Sequence, residues 1–338
     1  AGIRSVFHRK KRSTVHYVHS NRKGDVMLKY VLKRLGYILV TLWVIVTCTF
    51  FMMKNLPGTP FDAERFSIMT PQQQERVLEM YGLNDSLPMQ YVKYIKNMLK
   101  GDLGTSFTYV NQDVSKVITG RLGPSALIGI QAVLIGLAIG LILGILAAWK
   151  HNSGIDYFTM ILAVLGVSVP NFVAAALLQY YIGLKWGALP VGFWTGWNCS
   201  VLPSIALSFS ATAMVARFMR TEMLDVLDQD YIVTARAKGL SQMKVLMRHA
   251  VRNSILPVVT ILGPIVVNLM TGSLAVENIF SIPGIGSLFV DCIKANDYPV
   301  IMGITIFYAA FYMLIVLLVD LAYSLIDPRI RLAKGKES

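Results

Sequence analysis

The sequence predicts an all-α polytopic membrane protein with six transmembrane helices and both termini cytoplasmic. Three observations carry this. The 338-residue chain is 54% apolar and only 15% charged, where a soluble domain carries about a quarter charged residues. The apolar residues fall into six blocks free of Asp, Glu, Lys and Arg, at 35–53, 122–149, 157–184, 186–216, 253–276 and 298–319. Each matches or exceeds the roughly 17–25 residues a helix needs to cross a bilayer. Lys and Arg cluster in three places: ten through Arg34, seven from Arg217 to Asn253 and four after Pro328. The positive-inside rule puts all three on the cytoplasmic side. The net charge of +13 then reads as topology and contact with anionic membrane lipid. Nucleic acid is not needed to explain the Lys10-Lys11-Arg12 run.

Residues 1–26 read as a disordered basic extension, native or added, and Met27-Leu28-Lys29-Tyr30 looks like a natural beginning. Residues 27–56 hold the first span with its cytoplasmic start. This is not a cleaved signal peptide: its apolar core is too long, and Lys54-Asn55-Leu56-Pro57 offers no small-x-small cleavage site. Residues 57–123 are expected to form an external helical subdomain. Its seven basic and seven acidic residues balance, and long translocated segments weigh little in the charge rule. Thr70 is placed as a helix N-cap, Pro71 at the first helical position and Gln73 as the return partner of a capping box. Gly82 stops that helix. A second helix, 88–100, sets Met89, Val92, Ile95 and Leu99 on one face and ends at Gly101. Two readings stay open: a lid or docking surface for an external partner, and a solvated cap that steadies the helix ends.

Residues 124–332 make a five-helix core. The second span carries Gly136, Gly140 and Gly144 at four-residue spacing, which lets helix backbones approach closely in lipid. The third is interrupted by Ser168-Val169-Pro170-Asn171, where Pro170 removes a backbone donor and kinks the helix. Ser168, Pro170 and Asn171 are candidates to line a pathway; plain packing accommodation is the alternative. In the fourth block, Asn198-Cys199-Ser200 is expected outside the span. After the fifth span, residues 277–297 read as an external re-entrant hairpin. Its Pro-Gly turn makes Ser281, Pro283, Gly284 and Gly286 candidate gate residues, against an ordinary amphipathic loop on the headgroups. Asp320, near the cytoplasmic end of the last span, is expected to pair with a basic residue such as Arg217 or Arg220. Residues 333–338 form a cytoplasmic tail.

The three cysteines make no disulfide framework, although Cys199 and Cys292 would share the outer side, where a bridge is compatible with the topology. No Cys/His cluster has metal-ligand spacing.

The 217–253 loop is unusually charged and helix-forming for a connection between spans. Asp230 suits a helix start and Lys238 a helix end. Gly239 can take the left-handed stop conformation, and Ser241 can cap a following helix, 242–252. From these residues alone, a lever gripped by a cytoplasmic partner and an interfacial helix bound only to lipid remain equally open.

The loop reads Asp230-Tyr231-Ile232-Val233-Thr234-Ala235-Arg236-Ala237-Lys238-Gly239-Leu240, then Arg248-His249-Ala250-Val251-Arg252-Asn253 and Ile255-Leu256-Pro257. It resembles the ATPase-docking loop of bacterial ABC importer permeases in its oligopeptide and dipeptide form. Thr234 stands where Glu is usual and Arg236 replaces the second Ala, so positions do not transfer one by one from sugar importers. Leu56-Pro57-Gly58-Thr59-Pro60-Phe61, Tyr81-Gly82-Leu83-Asn84, Gly101-Asp102-Leu103-Gly104, Phe280-Ser281-Ile282-Pro283-Gly284-Ile285-Gly286, Asp297-Tyr298-Pro299 and Asp327-Pro328-Arg329-Ile330-Arg331 extend the likeness in order along the chain, closest to the B-type subunit. The resemblance implies a type I importer fold. Asp230, Tyr231, Thr234, Ala235, Arg236, Lys238 and Gly239 would dock an ATPase. The implied partners are a second homologous permease, two cytoplasmic ATPase subunits that use ATP and Mg, an external substrate-binding lipoprotein and a peptide cargo. No cofactor or metal is expected on this chain. It is not read as an enzyme, since it lacks a Gly-x-x-x-x-Gly-Lys-Ser/Thr phosphate loop. An ion-coupled secondary transporter or channel is the alternative; it would usually carry mid-span carboxylates. An intramembrane enzyme fits less well, because neither His151 nor His249 has a partnered nucleophile.

Overall fold

The computed structural model describes residues 32–55, 66, 68–80, 82–109, 112–270 and 274–326, and the side chains within them except at 80, 320 and 322–326. The basic extension, the motif at 56–61 and the tail from Asp327 lie outside the described residues. Within them the chain is helical, with one isolated β-bridge between Thr105 and Asp113.

Helix α1 spans Leu32–Lys54. Helices α2 (Pro71–Met80) and α3 (Leu87–Leu99) follow, and then α4 (Val114–Trp149). Helices α5 (Gly154–Ser168) and α6 (Asn171–Leu178) come next, α6 running on as a π-helical turn, Gln179–Lys185. A 3-10 turn, Trp197–Ser200, opens α7 (Val201–Leu227). Helices α8 (Asp230–Ala237) and α9 (Gln242–Val245) lead through a π-helical turn, Leu246–Val251, into α10 (Arg252–Met270). Helices α11 (Leu274–Ile279), α12 (Ile285–Lys294) and α13 (Tyr298–Ile326) complete the order. Among the described residues five segments are long and apolar enough to cross a bilayer alone, and α5 with α6 reaches that length and apolarity only as a bent pair.

The capping box forms as read. The Thr70 N–H donates to Gln73 Oε1 at 2.9 Å, and the Gln73 N–H to Thr70 Oγ1 at 3.4 Å. Helix α3 packs on α1 through its tyrosines. It turns Tyr91 and Tyr94 toward Phe50 and Phe51 of α1, with the Tyr91 hydroxyl 2.7 Å from Thr47 Oγ1. Its aliphatic stripe at Met89, Val92 and Leu99 stays exposed, because aromatic edges and a hydroxyl pair fill the α1 contact first.

The glycine stripe of α4 packs onto α7. A Cβ at Gly136 would lie 2.7 Å from Ala211 Cβ, at Gly140 2.7 Å from Val215 Cβ, and at Gly144 2.6 Å from the Ala216 carbonyl oxygen. The main core lies along this seam, with Leu202, Leu207, Met219 and Met223 of α7, Ile128 of α4 and Val258 of α10 buried together. A second core at one end joins Val114, Val117 and Ile118 to Ile285, Leu288, Val300 and Ile304.

The third span is broken rather than kinked. Helices α5 and α6 meet at 101°. Val169 (ψ 118°) and Pro170 (ψ 139°) are both extended, since a residue before proline is pushed out of the helical region. The fourth span also departs from expectation. Cys199 and Ser200, expected outside it, are buried in the turn that starts α7, and α7 continues past the apolar block to Leu227.

Candidate functional site

Helix α8 is stitched to the end of α7 by a small core of its own. Ile232, Ala235 and Val245 are buried and are covered by Val226, Leu227 and Leu240. That fixes one face of α8 inward and turns the other out: Asp230, Tyr231, Val233, Thr234, Arg236, Lys238 and Gly239 are exposed. Asp230 lies in the first turn and Arg236 in the last, each favourable to the helix dipole. Gly239 has φ +77°, a conformation that costs other residues roughly 1–2 kcal/mol. Its N–H donates to the Arg236 carbonyl at 2.9 Å, closing the helix. Asn253 Nδ2 donates to the Tyr231 hydroxyl at 3.0 Å, and Ser254 Oγ to the Glu222 carbonyl at 3.2 Å. The result is a braced hairpin whose outer surface mixes Arg236 and Lys238 with exposed Tyr231, Val233, Met243 and Met247.

Beside the hairpin's root, α5 and α7 are clasped. Arg220 Nε lies 2.5 Å from Asp156 Oδ1, and Arg220 Nη2 2.8 Å from Oδ2. The Asn152 N–H donates to Oδ2 at 3.0 Å, and His151 Nδ1 is 3.0 Å from the same oxygen. Asp156 is 2% exposed, so its charge is matched by the guanidinium fork rather than by water.

The other end of the bundle holds two more buried carboxylates. Glu277 accepts the Ser125 hydroxyl at 2.6 Å and the Ser287 N–H at 2.9 Å. Ser125 Oγ in turn accepts the Ile285 N–H at 2.8 Å. The 280–284 turn is therefore fastened to α4 and to the N-terminus of α12. Gly284 sits where a Cβ would be 2.4 Å from both the Glu277 carboxyl carbon and Ser125 Oγ. Asp297, fully buried, accepts the Ser106 hydroxyl at 2.5 Å and the N–H groups of Thr108 at 3.0 Å and Phe107 at 3.2 Å. This ties the loop before α4 to the start of α13. Nearby, burial pushes the Cys292 thiol up to about 12, aided by the Asp297 and Asp291 carboxylates.

A family model described as Binding-protein-dependent transport system inner membrane component matches residues 140–332. A second, Binding-prot-dependent transport system membrane comp, N-term, matches residues 27–123. The chain belongs to this permease family. The dipeptide transport system permease protein DppB of Lactococcus lactis subsp. cremoris is 46% identical over 306 residues, covering 90% of this chain and 100% of the relative. The oligopeptide transport system permease protein OppB of Haemophilus influenzae is 39% identical over 307 residues, again 90% of this chain and 100% of the relative. The inward-facing MetNI methionine ABC transporter superposes with a TM-score of 0.50 at 15% identity, over 65% of this chain and 96% of that one; this is a likeness of fold. The protein is a multi-pass permease of the bacterial cytoplasmic membrane.

Several sequence readings are refined in this permease. Of the seven candidate docking residues, Ala235 faces inward and the other six face out. The helix expected at 242–252 is no separate arm: α9 and the π-helical turn run continuously into α10. Ser241 holds the N-cap position without a side-chain hydrogen bond, and its carbonyl accepts instead. Arg220 pairs with Asp156, where α5 packs along α7; the pairing expected of Asp320 falls on a side chain outside the described residues. Ser281 is exposed at φ +50°, while Gly284 and Gly286 are buried and Pro283 half-buried. Ser168 and Pro170 are exposed and Asn171 half-buried at the 101° break. All three cysteines are free thiols, with Cys199 and Cys292 buried. Sequence reasoning missed Ser125, Glu277, Asp156 and the roles of Ser106 and Asp297. A lone carboxylate at the edge of an apolar block was the available signal for Asp156 and Glu277.

Proposed function

We propose that this permease is the B-type membrane subunit of an ATP-driven importer of short peptides. It receives cargo from an external binding protein and works beside a second homologous permease. The observation that carries the reading is the full-length likeness to a dipeptide permease at 46% identity. It exceeds the 39% to an oligopeptide permease, so the substrate class favoured is dipeptides. Two cytoplasmic ATPases supply the energy, using ATP and Mg held on their own chains. They grip the exposed face of α8 through Asp230, Tyr231, Thr234, Arg236, Lys238 and Gly239, while Ala235 anchors that helix from below. The positive-inside rule then sets the hairpin and both termini in the cytoplasm, and the 274–297 region outside. The turn at Ser281, Pro283, Gly284 and Gly286 closes the outer side, and the break at Ser168, Pro170 and Asn171 borders the pathway. Closure of the ATPases moves the hairpin, and alternating access follows from that movement.

The test is uptake of labelled dipeptide, tetrapeptide and sodium-dependent substrates by cells lacking this chain and by cells in which it is restored. Restored dipeptide uptake that survives collapse of the ion gradients but not ATP depletion is expected. Uptake that follows the ion gradient would instead favour a secondary transporter.

A further inference from the structure

The hairpin hangs from α7, and Arg220 sits seven residues before the end of that helix, about 10 Å along it. We propose that Arg220 and Asp156 are the positioning pair that carries hairpin movement into the third span. The inference rests on the docking role proposed for the hairpin.

Three observations support it. First, the contact fixes orientation as well as distance. Arg220 presents Nε to one carboxylate oxygen at 2.5 Å and Nη2 to the other at 2.8 Å, a fork that a point charge cannot reproduce. Second, the turn between α4 and α5 is wrapped around the same carboxylate. Asn152, at φ +58°, donates its N–H to Oδ2, and His151 Nδ1 lies 3.0 Å from that oxygen. Third, α5 touches α7 again farther along, where a Cβ on Gly166 would lie 3.0 Å from Ala213 Cβ and from the Phe209 carbonyl oxygen. Held at two points, α5 cannot pivot independently of α7. Its far end is the 101° break beside Ser168, Pro170 and Asn171. Displacement of the hairpin along α7 is therefore delivered to the break. Stability alone explains the pair poorly, since well-packed apolar residues commonly replace a buried ion pair at no loss.

The experiment uses the whole importer in proteoliposomes with its binding protein. Wild type is compared with Arg220→Lys, Asp156→Asn and the double variant Asp156→Asn/Arg220→Lys. Co-purified ATPase, ATP hydrolysis and dipeptide uptake are measured on each. Both single variants are expected to retain the ATPase and hydrolysis within about twofold, while uptake per ATP falls about tenfold or more. The double variant is expected to fall no further than the weaker single variant, since both changes break one contact. An unchanged ratio in either single variant overturns the proposal. So does loss of ATPase and uptake in step, which marks a merely structural pair, or a double variant whose two losses multiply, which marks independent effects. Absence of ATPase from the wild-type complex would instead overturn the docking reading beneath it.

Discussion

Gly284 shows most sharply how a single position is constrained here. A methyl group there would meet the Glu277 carboxylate and Ser125 Oγ at 2.4 Å, and neither can retreat without losing a buried hydrogen bond. Gly284→Ala is expected to destabilise the purified chain by about 1–3 kcal/mol, read as a lowered thermal midpoint by tryptophan fluorescence in detergent. Cys292 makes a different prediction. Its thiol, raised from the ordinary 9.0 to about 12, stays protonated in the native protein, so maleimide at pH 8 should leave it unlabelled until denaturant is added. As pH rises, the unfolded chain loses this proton first. The stability contribution is complete below pH 9 and is lost as pH rises toward about 12. The Thr70–Gln73 capping box was legible in the sequence because its partners are three residues apart. Glu277 with Ser125, and Asp156 with Arg220, were not, because their partners are 152 and 64 residues away and only the fold brings them together.

Helices were legible wherever charge-free length or a local cap defined them, and this accounts for the five spanning segments and the bent pair. Departures occur where neighbours decide. Helix α4 begins at Val114, ahead of its apolar block, because Val117 and Ile118 bury against α12 and α13. Helices α9 and α10 fuse because α9 is too short to stand alone and Leu246 and Ala250 are buried in the main core. The glycine stripe was correctly read as packing, but its partner, α7, was not specified by spacing. That partner yields a contrast within one helix. Gly144→Ala forces a methyl group to 2.6 Å from the Ala216 carbonyl oxygen and should cost about 1–3 kcal/mol. Gly123→Ala meets nothing within 4 Å and should be neutral or up to about 1 kcal/mol stabilising. Thermal unfolding of the two variants side by side checks both. At the hairpin, Gly239→Ala should cost about 1 kcal/mol locally and weaken ATPase retention while the chain stays folded.

The molecule combines a rigid seam, α4 on α7, with features placed at its two ends. One end carries the braced hairpin and the Arg220–Asp156 clasp. The other carries the Glu277 anchor, which fastens the 280–284 turn to α4, and the Asp297 anchor, which ties the loop before α4 to the start of α13. Such an arrangement suits transport, because displacement at one end reaches the other through packed helices rather than through loops. Helices α1, α5 and α6 expose Trp43, Tyr157, Phe158, Ile161 and Phe172, apolar surface that suits lipid or a second permease. The measurement that bears most directly on this picture is a gentle-detergent pull-down of the chain from its native membrane. Wild type is compared with an Arg236→Glu/Gly239→Pro variant, which reverses an exposed charge and forbids the φ of +77° at the helix stop. An ATPase should co-purify with wild type and be lost from the variant while the variant still elutes as a folded, monodisperse chain. ATPase retained at wild-type level by the folded variant, or absent from wild type even after cross-linking, would contradict it.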